Sequence, residues 1–470
     1  MIWFRPGSHV RRLCVILAVT GEIPVKSLFL LGSQRVYRAL VAKLIEPQKI
    51  INSETGETLF CRLLTLHGKG AKKSVRFYKA GLPVLDWIGV REFYMSAFWN
   101  HKLPSDDTHV ERNFRLAEAA IVFMQTGCEF RPWEMEAFQG KIIRRLSFPR
   151  PSFYAARELK DVSGNDLKKI QYARFIGTVF TNDIGMTVYN TRDAVMKWNG
   201  MSEFKARQAI DALARMNTRL REVSAAILLG DSEDVAVRML ESFEKERRVE
   251  FRFDSIYEHV YFVPMNADGI RQLRLLLFPD WNAQLLSLMF APDERSYNLG
   301  SFVYDAIVGD AYVLVFLDGD LPRLIRFRSG ITPGRYRHEV LCFPHQVSLV
   351  KQLLGDQVDI RITELEDVEN ALGLKGGTVF ESQAWKSTVD CTGLHTGSVR
   401  AVLPRRNCRA SAGELSGLAG CRRYDRPGAN GQSVVESRYL LFPHLYRKRT
   451  DRYGVAAGRL RRDLHLHQAA

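Results

Sequence analysis

No stretch of this 470-residue sequence approaches the ~20 consecutive apolar residues that a membrane-spanning helix needs. The longest candidate near the start, Leu13–Val19, lies behind Arg5, Arg11 and Arg12 and imitates a secretory signal. It is short, and no small-x-small cleavage site follows before Glu22, so a cytoplasmic protein without membrane contact is expected. Cysteine is scarce: seven residues, at 14, 61, 128, 342, 391, 408 and 421, with no two within four positions. That spacing excludes a zinc knuckle and a CxxC redox pair, and predicts reduced thiols, several of them buried. Glycine-rich nucleotide loops are missing too. The stretch Gly68-Lys69-Gly70-Ala71-Lys72-Lys73-Ser74 has no Gly-Lys-Ser/Thr ending and is rejected as a phosphate loop. There is no tandem repeat and no Ser-His-Asp arrangement in the pattern. Most telling, the first eighty residues contain no aspartate.

What is present is basic charge, unevenly placed. The chain carries 67 Lys+Arg against 52 Asp+Glu, net +15. Residues 1–80 hold 14 basic and 4 acidic side chains, and residues 386–470 hold 16 and 6, so each end has net +10 and residues 81–385 have −5. Basic patches favour polyanions, above all nucleic acid. Apolar content of 46% and charged content of 25% are globular values, and 53.7 kDa suggests two or three domains. The expected division is a basic module over 1–96, a body over 97–376 and a basic tail over 377–470.

The module has a recognisable order. Residues 11–20 carry an apolar helical stripe ended by Gly21; Pro24 then suits the first turn of a helix over 25–31. Gly32 breaks that helix, and Ser33 is placed to cap a third running to Ile45, stopped by Pro47. Residues 49–52 and 58–66 read as strands around the turn Ser53-Glu54-Thr55-Gly56-Glu57. A helix-turn-helix followed by a hairpin is a winged helix, whose second helix enters the major groove while the wing touches backbone. On that pattern Ser33, Gln34, Arg35, Tyr37 and Arg38 face DNA, with Arg and Gln suited to base edges. Lys43, Lys49, Lys72 and Lys73 are expected at phosphates, beside Lys69 and Arg76.

Leu31-Gly32-Ser33, the basic helix, the hairpin and Val75-Arg76-Phe77-Tyr78-Lys79-Ala80-Gly81-Leu82 resemble the N-terminal winged helix of the replication-relaxation family. Alanine stands at position 80 where that family has threonine. His109-Val110-Glu111-Arg112-Asn113, leading into Phe114–Met124, is similar to the family's second block. The resemblance covers residues 10–130. It implies double-stranded DNA as partner, in replication, transfer or transcriptional control of a plasmid or conjugative element, with a homodimer or replication and transfer proteins as further partners.

The body alternates strand and helix patterns, so the expected class is mixed α/β. Residues 176–180 and 186–189 read as a hairpin, 224–229 as a buried strand, and 302–308, 311–317 and 321–327 as a three-stranded meander with turns at Gly309-Asp310 and Asp318-Gly319. No metal or cofactor site is expected. Three weaker patterns carry possible chemistry. Glu158-Leu159-Lys160 matches the acidic-x-Lys element of metal-dependent nucleases, in which a carboxylate holds Mg²⁺ and the lysine positions water. This is the basis of an alternative reading as a nuclease-like enzyme. Asp254 to His259 brings two carboxylates and a histidine together, more often a surface pattern than a ligand set. His465 and His467 are the paired histidines of the tail. The tail itself, with fourteen arginines, two lysines and nine glycines over 386–470, has a composition that resists burying a core; an aberrant, unselected extension would look the same. A winged helix that binds protein, an adaptor, is the third reading.

Overall fold

The computed structural model describes residues 1–130, 148, 150–162, 170, 173–182, 184–195, 200–217, 220–245, 248–296, 302–332, 334 and 336–374. The tail and its histidines lie outside these residues, as does Asp183 in the turn of the first body hairpin. The fold is mixed α/β.

The chain starts with strand β1 (Ile2–Phe4), helix α1 (His9–Thr20) and strand β2 (Glu22–Pro24). Ser8 caps α1 by accepting the Arg11 N–H, and Gly21 ends it in a positive-φ conformation. The helix expected over 25–31 is a 3-10 helix, Val25–Leu31. Gly32 (φ +126°), in a region closed to other residues, turns the chain into α2 (Gln34–Leu44). Ser33 sits at the cap position in extended conformation, but its hydroxyl makes no capping bond.

The expected hairpin forms from β3 (Gln48–Asn52) and β4 (Thr58–Cys61). Its third strand is β1, which lies parallel to β3. The second expected strand is in fact two. After Arg62 and Leu63 the chain changes sheet, and β5 (Leu64–His67) pairs with β6 (Ser74–Phe77), which pairs with β2. Buried Glu22 ties this second sheet together, accepting hydrogen bonds from the Ser74 hydroxyl and Arg76 Nε, each at 2.9 Å.

After α3 (Arg91–Ala97) comes α4 (Asp107–Gln125), capped by Asp106. Every residue from Leu116 to Gln125 is buried. A helix buried on all sides must have neighbours on all sides, and α4 has them. The basic module lies against one flank through α1, β2 and the 3-10 helix, and the body sheet against the other. Core side chains therefore run without a break from Ile2 to Leu372.

The body sheet begins with β7 (Ser152–Ala155), followed by α5 (Ala156–Val162), β8 (Gly177–Phe180) and β9 (Ile184–Arg192). Helix α6 (Gly200–Asn217) leads to β10 (Glu222–Gly230), and α7 (Glu233–Glu244) and α8 (Phe253–Ile256) lead to β11 (His259–Pro264). The strand order is β11-β10-β9-β8-β7, parallel from β9 to β11 and antiparallel from β7 to β9. Val223 to Gly230 is buried throughout, as expected for a strand covered on both faces.

Helices α9 (Ala267–Leu276) and α10 (Trp281–Met289) connect to a second sheet. Its strands β12 (Ala306–Val308) and β13 (Ala311–Val315) form the expected hairpin through Gly309, φ +63°. The third meander strand is overturned: the chain there is helix α11 (Leu321–Gly330). Asp320 at its N-cap position and Pro322 in its first turn are helix-start residues. Buried Leu321, Leu324 and Phe327 fall on one helical face. The crossover lets β14 (Arg337–Cys342) pair parallel to β13, and α12 (Val347–Leu354) does the same for β15 (Asp359–Ile362) before α13 (Leu365–Ala371). No helix among the described residues is long and apolar enough to cross a membrane. The described cysteines, Cys14, Cys61, Cys128 and Cys342, are buried free thiols.

Candidate nucleic-acid interface

Helix α2 is seated by Tyr37, Val41 and Leu44, spaced to make one buried stripe. The opposite side is open. Arg35, Val36, Arg38, Ala39, Ala42 and Lys43 are all exposed. Neither Arg35, Arg38 nor Lys43 makes an ion pair among the described residues, and the two alanines between them leave the helix face low. Such a face can approach a polyanion closely, where its cations would displace the counterions condensed on phosphates.

The nine residues expected at DNA do not all gather there. Ser33, Arg35, Arg38 and Lys43 are exposed on or beside α2, and Gln34 is half-buried. Tyr37 is a correction: it is fully buried and does not face outward. Its hydroxyl lies 3.1 Å from His9 Nδ1 and its ring packs edge-on against the imidazole, so it anchors α2 to α1. Burial raises the Tyr37 hydroxyl pKa and, with Arg12, lowers that of His9. The misplacement is a matter of helical phase: 37, 41 and 44 share one stripe, whereas 35, 38 and 42 share the other.

Lys49 is exposed on β3, across from Phe60. Lys73 is exposed, and Lys72, also exposed, pairs with Asp107 at 2.7 Å. At the hairpin tip Glu54 accepts Arg11 at 3.0 Å, and Glu57 is exposed. The hairpin tip thus carries acidic residues, while the exposed face of α2 is basic.

A buried polar network joins the module to the body. Glu118 of α4 accepts the Ser27 hydroxyl at 2.5 Å and Arg192 at 2.6 and 2.9 Å. Asn190 donates to the same carboxylate at 3.1 Å, and Arg192 also bonds Glu111. Gln125 and Arg157 donate to the backbone oxygens of Leu30 and Val19. Beside this junction Phe29, Leu30, Arg271, Arg274 and Asn370 line a cavity of about 730 Å³.

The residues with possible chemistry do not converge. Glu158 is buried and accepts the Ala155 N–H at 2.7 Å, a capping bond at the start of its own helix. Lys160 lies over the Phe175 ring, its pKa lowered chiefly by burial. Asp254 pairs with Arg252, and His259 pairs instead with Asp320 at 2.7 Å. Among the described residues no three His, Cys, Asp or Glu are grouped to hold a metal ion.

Three buried clusters of the body escaped the sequence reading. Arg323 bonds Asp305 at 2.6 and 2.7 Å and Asp318 at 2.9 Å. Burial lifts Asp318 to about 6 despite that arginine. Tyr189 links Glu203 and Tyr257, each at 2.8 Å, and burial pushes Glu203 up to about 7. His259 and Asp320 form the third, and the aspartate raises the histidine pKa against its burial. The signal for the first was present in Asp320-Leu321-Pro322, a helix start that would have put Arg323 on a buried turn. Comparison with protein families, curated proteins and solved structures returns no match to the chain.

Proposed function

We propose that the protein binds double-stranded DNA through α2, used as the recognition helix of a winged-helix module. The role is in the replication, transfer or transcriptional control of a mobile element, as the family resemblance implies. The observation that carries the reading is the solvent face of α2, where Arg35, Arg38 and Lys43 stand exposed around Ala39 and Ala42, with no ion pair among the described residues. The two arginines offer forked donors for guanine edges or phosphates, and the alanines remove the bulk that would hold a groove away. Lys49 and Lys73 add phosphate contacts flanking the helix.

The test uses the full chain with a mixed-sequence duplex, followed by fluorescence anisotropy across about 50–300 mM salt. Affinity should fall steeply with salt, by about 0.9 in logarithmic slope for each phosphate contacted. Arg35→Glu with Arg38→Glu should abolish binding at moderate salt. Absence of binding at the lowest salt would sink the reading and leave protein partners for this face.

A further inference from the structure

On the hairpin sheet β1-β3-β4, one face points inward, with Ile2, Phe4 and Ile50 buried. The other carries two large aromatic rings in solvent: Trp3 is 52% and Phe60 75% exposed. Both are side chains that a sheet face open to water normally replaces with polar residues. Register places them on one surface. Trp3 pairs with Ile51, which pairs with Thr58, and in the adjacent row Lys49 pairs with Phe60. With strands ~4.8 Å apart and ~3.4 Å per residue, the two rings stand about 12 Å apart. Lys49, exposed, and Ile51, half-buried, occupy the strand between them. Just past the end of β4, exposed Arg62 lays its guanidinium over the Tyr78 ring, 5.2 Å from the centroid, and Tyr78 is itself 41% exposed.

Aromatic rings interleaved with cations are what an unpaired nucleotide strand needs. Each base presents a π-face for stacking, whatever its sequence, and the cations follow the phosphates. A duplex cannot use such a surface, because its bases are already stacked. The charge around the sheet suits a nucleic-acid strand: Arg5, Lys49 and Arg62 are exposed, against exposed Glu46 and Glu57 and Glu54, already paired with Arg11.

We infer that the outer face of β1-β3-β4 binds single-stranded DNA, stacking bases on Trp3 and Phe60 with Lys49 between them. This deepens the duplex-binding reading, since the same module would then hold a junction between duplex and unpaired strand, but it rests on the rings of Trp3 and Phe60, which the duplex reading does not use.

The experiment measures three DNAs against the full chain at about 50 mM salt: a blunt duplex, the same duplex with an oligothymidine overhang of about ten nucleotides, and the oligothymidine alone. The overhang should tighten binding about tenfold, and the oligothymidine should bind by itself. Trp3→Leu with Phe60→Leu keeps apolar bulk and removes the rings. It should abolish the overhang gain and weaken oligothymidine binding at least about fivefold per lost ring, while leaving blunt-duplex binding unchanged. Arg35→Glu with Arg38→Glu should do the reverse, so loss of duplex binding alone counts against the α2 reading only. The inference is overturned if the overhang adds nothing and oligothymidine does not bind, or if the leucine variant retains the overhang gain. It is also overturned if that variant's only effect is to dissociate a dimer of this chain, seen by sedimentation, because a second copy would then be the occupant.

Discussion

The basic module and the acidic body use charge in opposite ways. In the body, arginines are drawn inside and matched: Arg323 between Asp305 and Asp318, and Arg192 at the junction against Glu118. In the module, Arg35, Arg38, Lys43 and Lys49 stay in water, with no ion pair among the described residues. Internal pairs hold parts of the fold at fixed distances, because either partner alone would be a buried charge. Exposed, unmatched cations contribute little to the fold and are available to an external anion. Glu22 with Arg76, a matched pair in the module interior, joins β2 to β6 in the sheet that packs against α4, which suits the contrast.

The largest effect that could break this comparison is in the body. Arg323→Met should destabilise the protein by about 3–5 kcal/mol in urea unfolding, because Asp305 and Asp318 are left buried without a cation. A loss below about 1 kcal/mol would mean the interior charges are not what holds that region. By contrast, Arg35→Ala with Arg38→Ala should leave unfolding within roughly 0.5 kcal/mol of the parent while weakening DNA binding.

A pH series sharpens the same point. Glu203, ordinarily near 4.5, is held at about 7 by burial, against the hydrogen bonds from the Arg174 N–H and Tyr189. Between those values the folded protein keeps a proton that the unfolded chain has released, so this group's contribution to stability falls as pH rises through the window. Unfolding midpoints of Glu203→Gln should decline less between about pH 4.5 and 7 than those of the parent; parallel declines would contradict the assignment.

Smaller effects separate capping from chemistry. Glu158→Ala should lower stability by about 0.5–2 kcal/mol through the lost bond to Ala155 N–H, with DNA binding unchanged. A Mg²⁺-dependent nicking activity lost in Glu158→Gln would instead restore the nuclease reading. Arg11→Ala removes the pair with half-exposed Glu54 and should cost about 0.2–1 kcal/mol by thermal unfolding.

Much of this was legible from local pattern. Gly32, Pro47 and the Ser53–Glu57 turn mark breaks that follow from backbone chemistry alone, and the apolar helical stripe over 11–20 places α1 correctly to within two residues. The miss at Leu321–Phe327 has the same kind of cause: an apolar run of that length fits a strand or a buried helix equally until its flanks are weighed, and Asp320 with Pro322 decides for helix. The exposed Trp3 and Phe60 were not legible, since a lone aromatic in an apolar segment reads as core. Only the pairing of β1 with β3 shows which face each occupies.

By itself the sequence determined the segregation of charge and the mixture of helix and strand patterns, hence the mixed α/β class, because these depend on residue type and short-range spacing. Tertiary structure alone decided which charges are spent and which are free. Tyr37 turns inward to His9, Glu158 turns back on Ala155, Lys72 is taken by Asp107, and Arg35 and Arg38 are left open. The physical reason is that a side chain's availability depends on what packs within a few ångströms of it, and those neighbours come from elements as distant in sequence as β1 and β3 or α4 and β9.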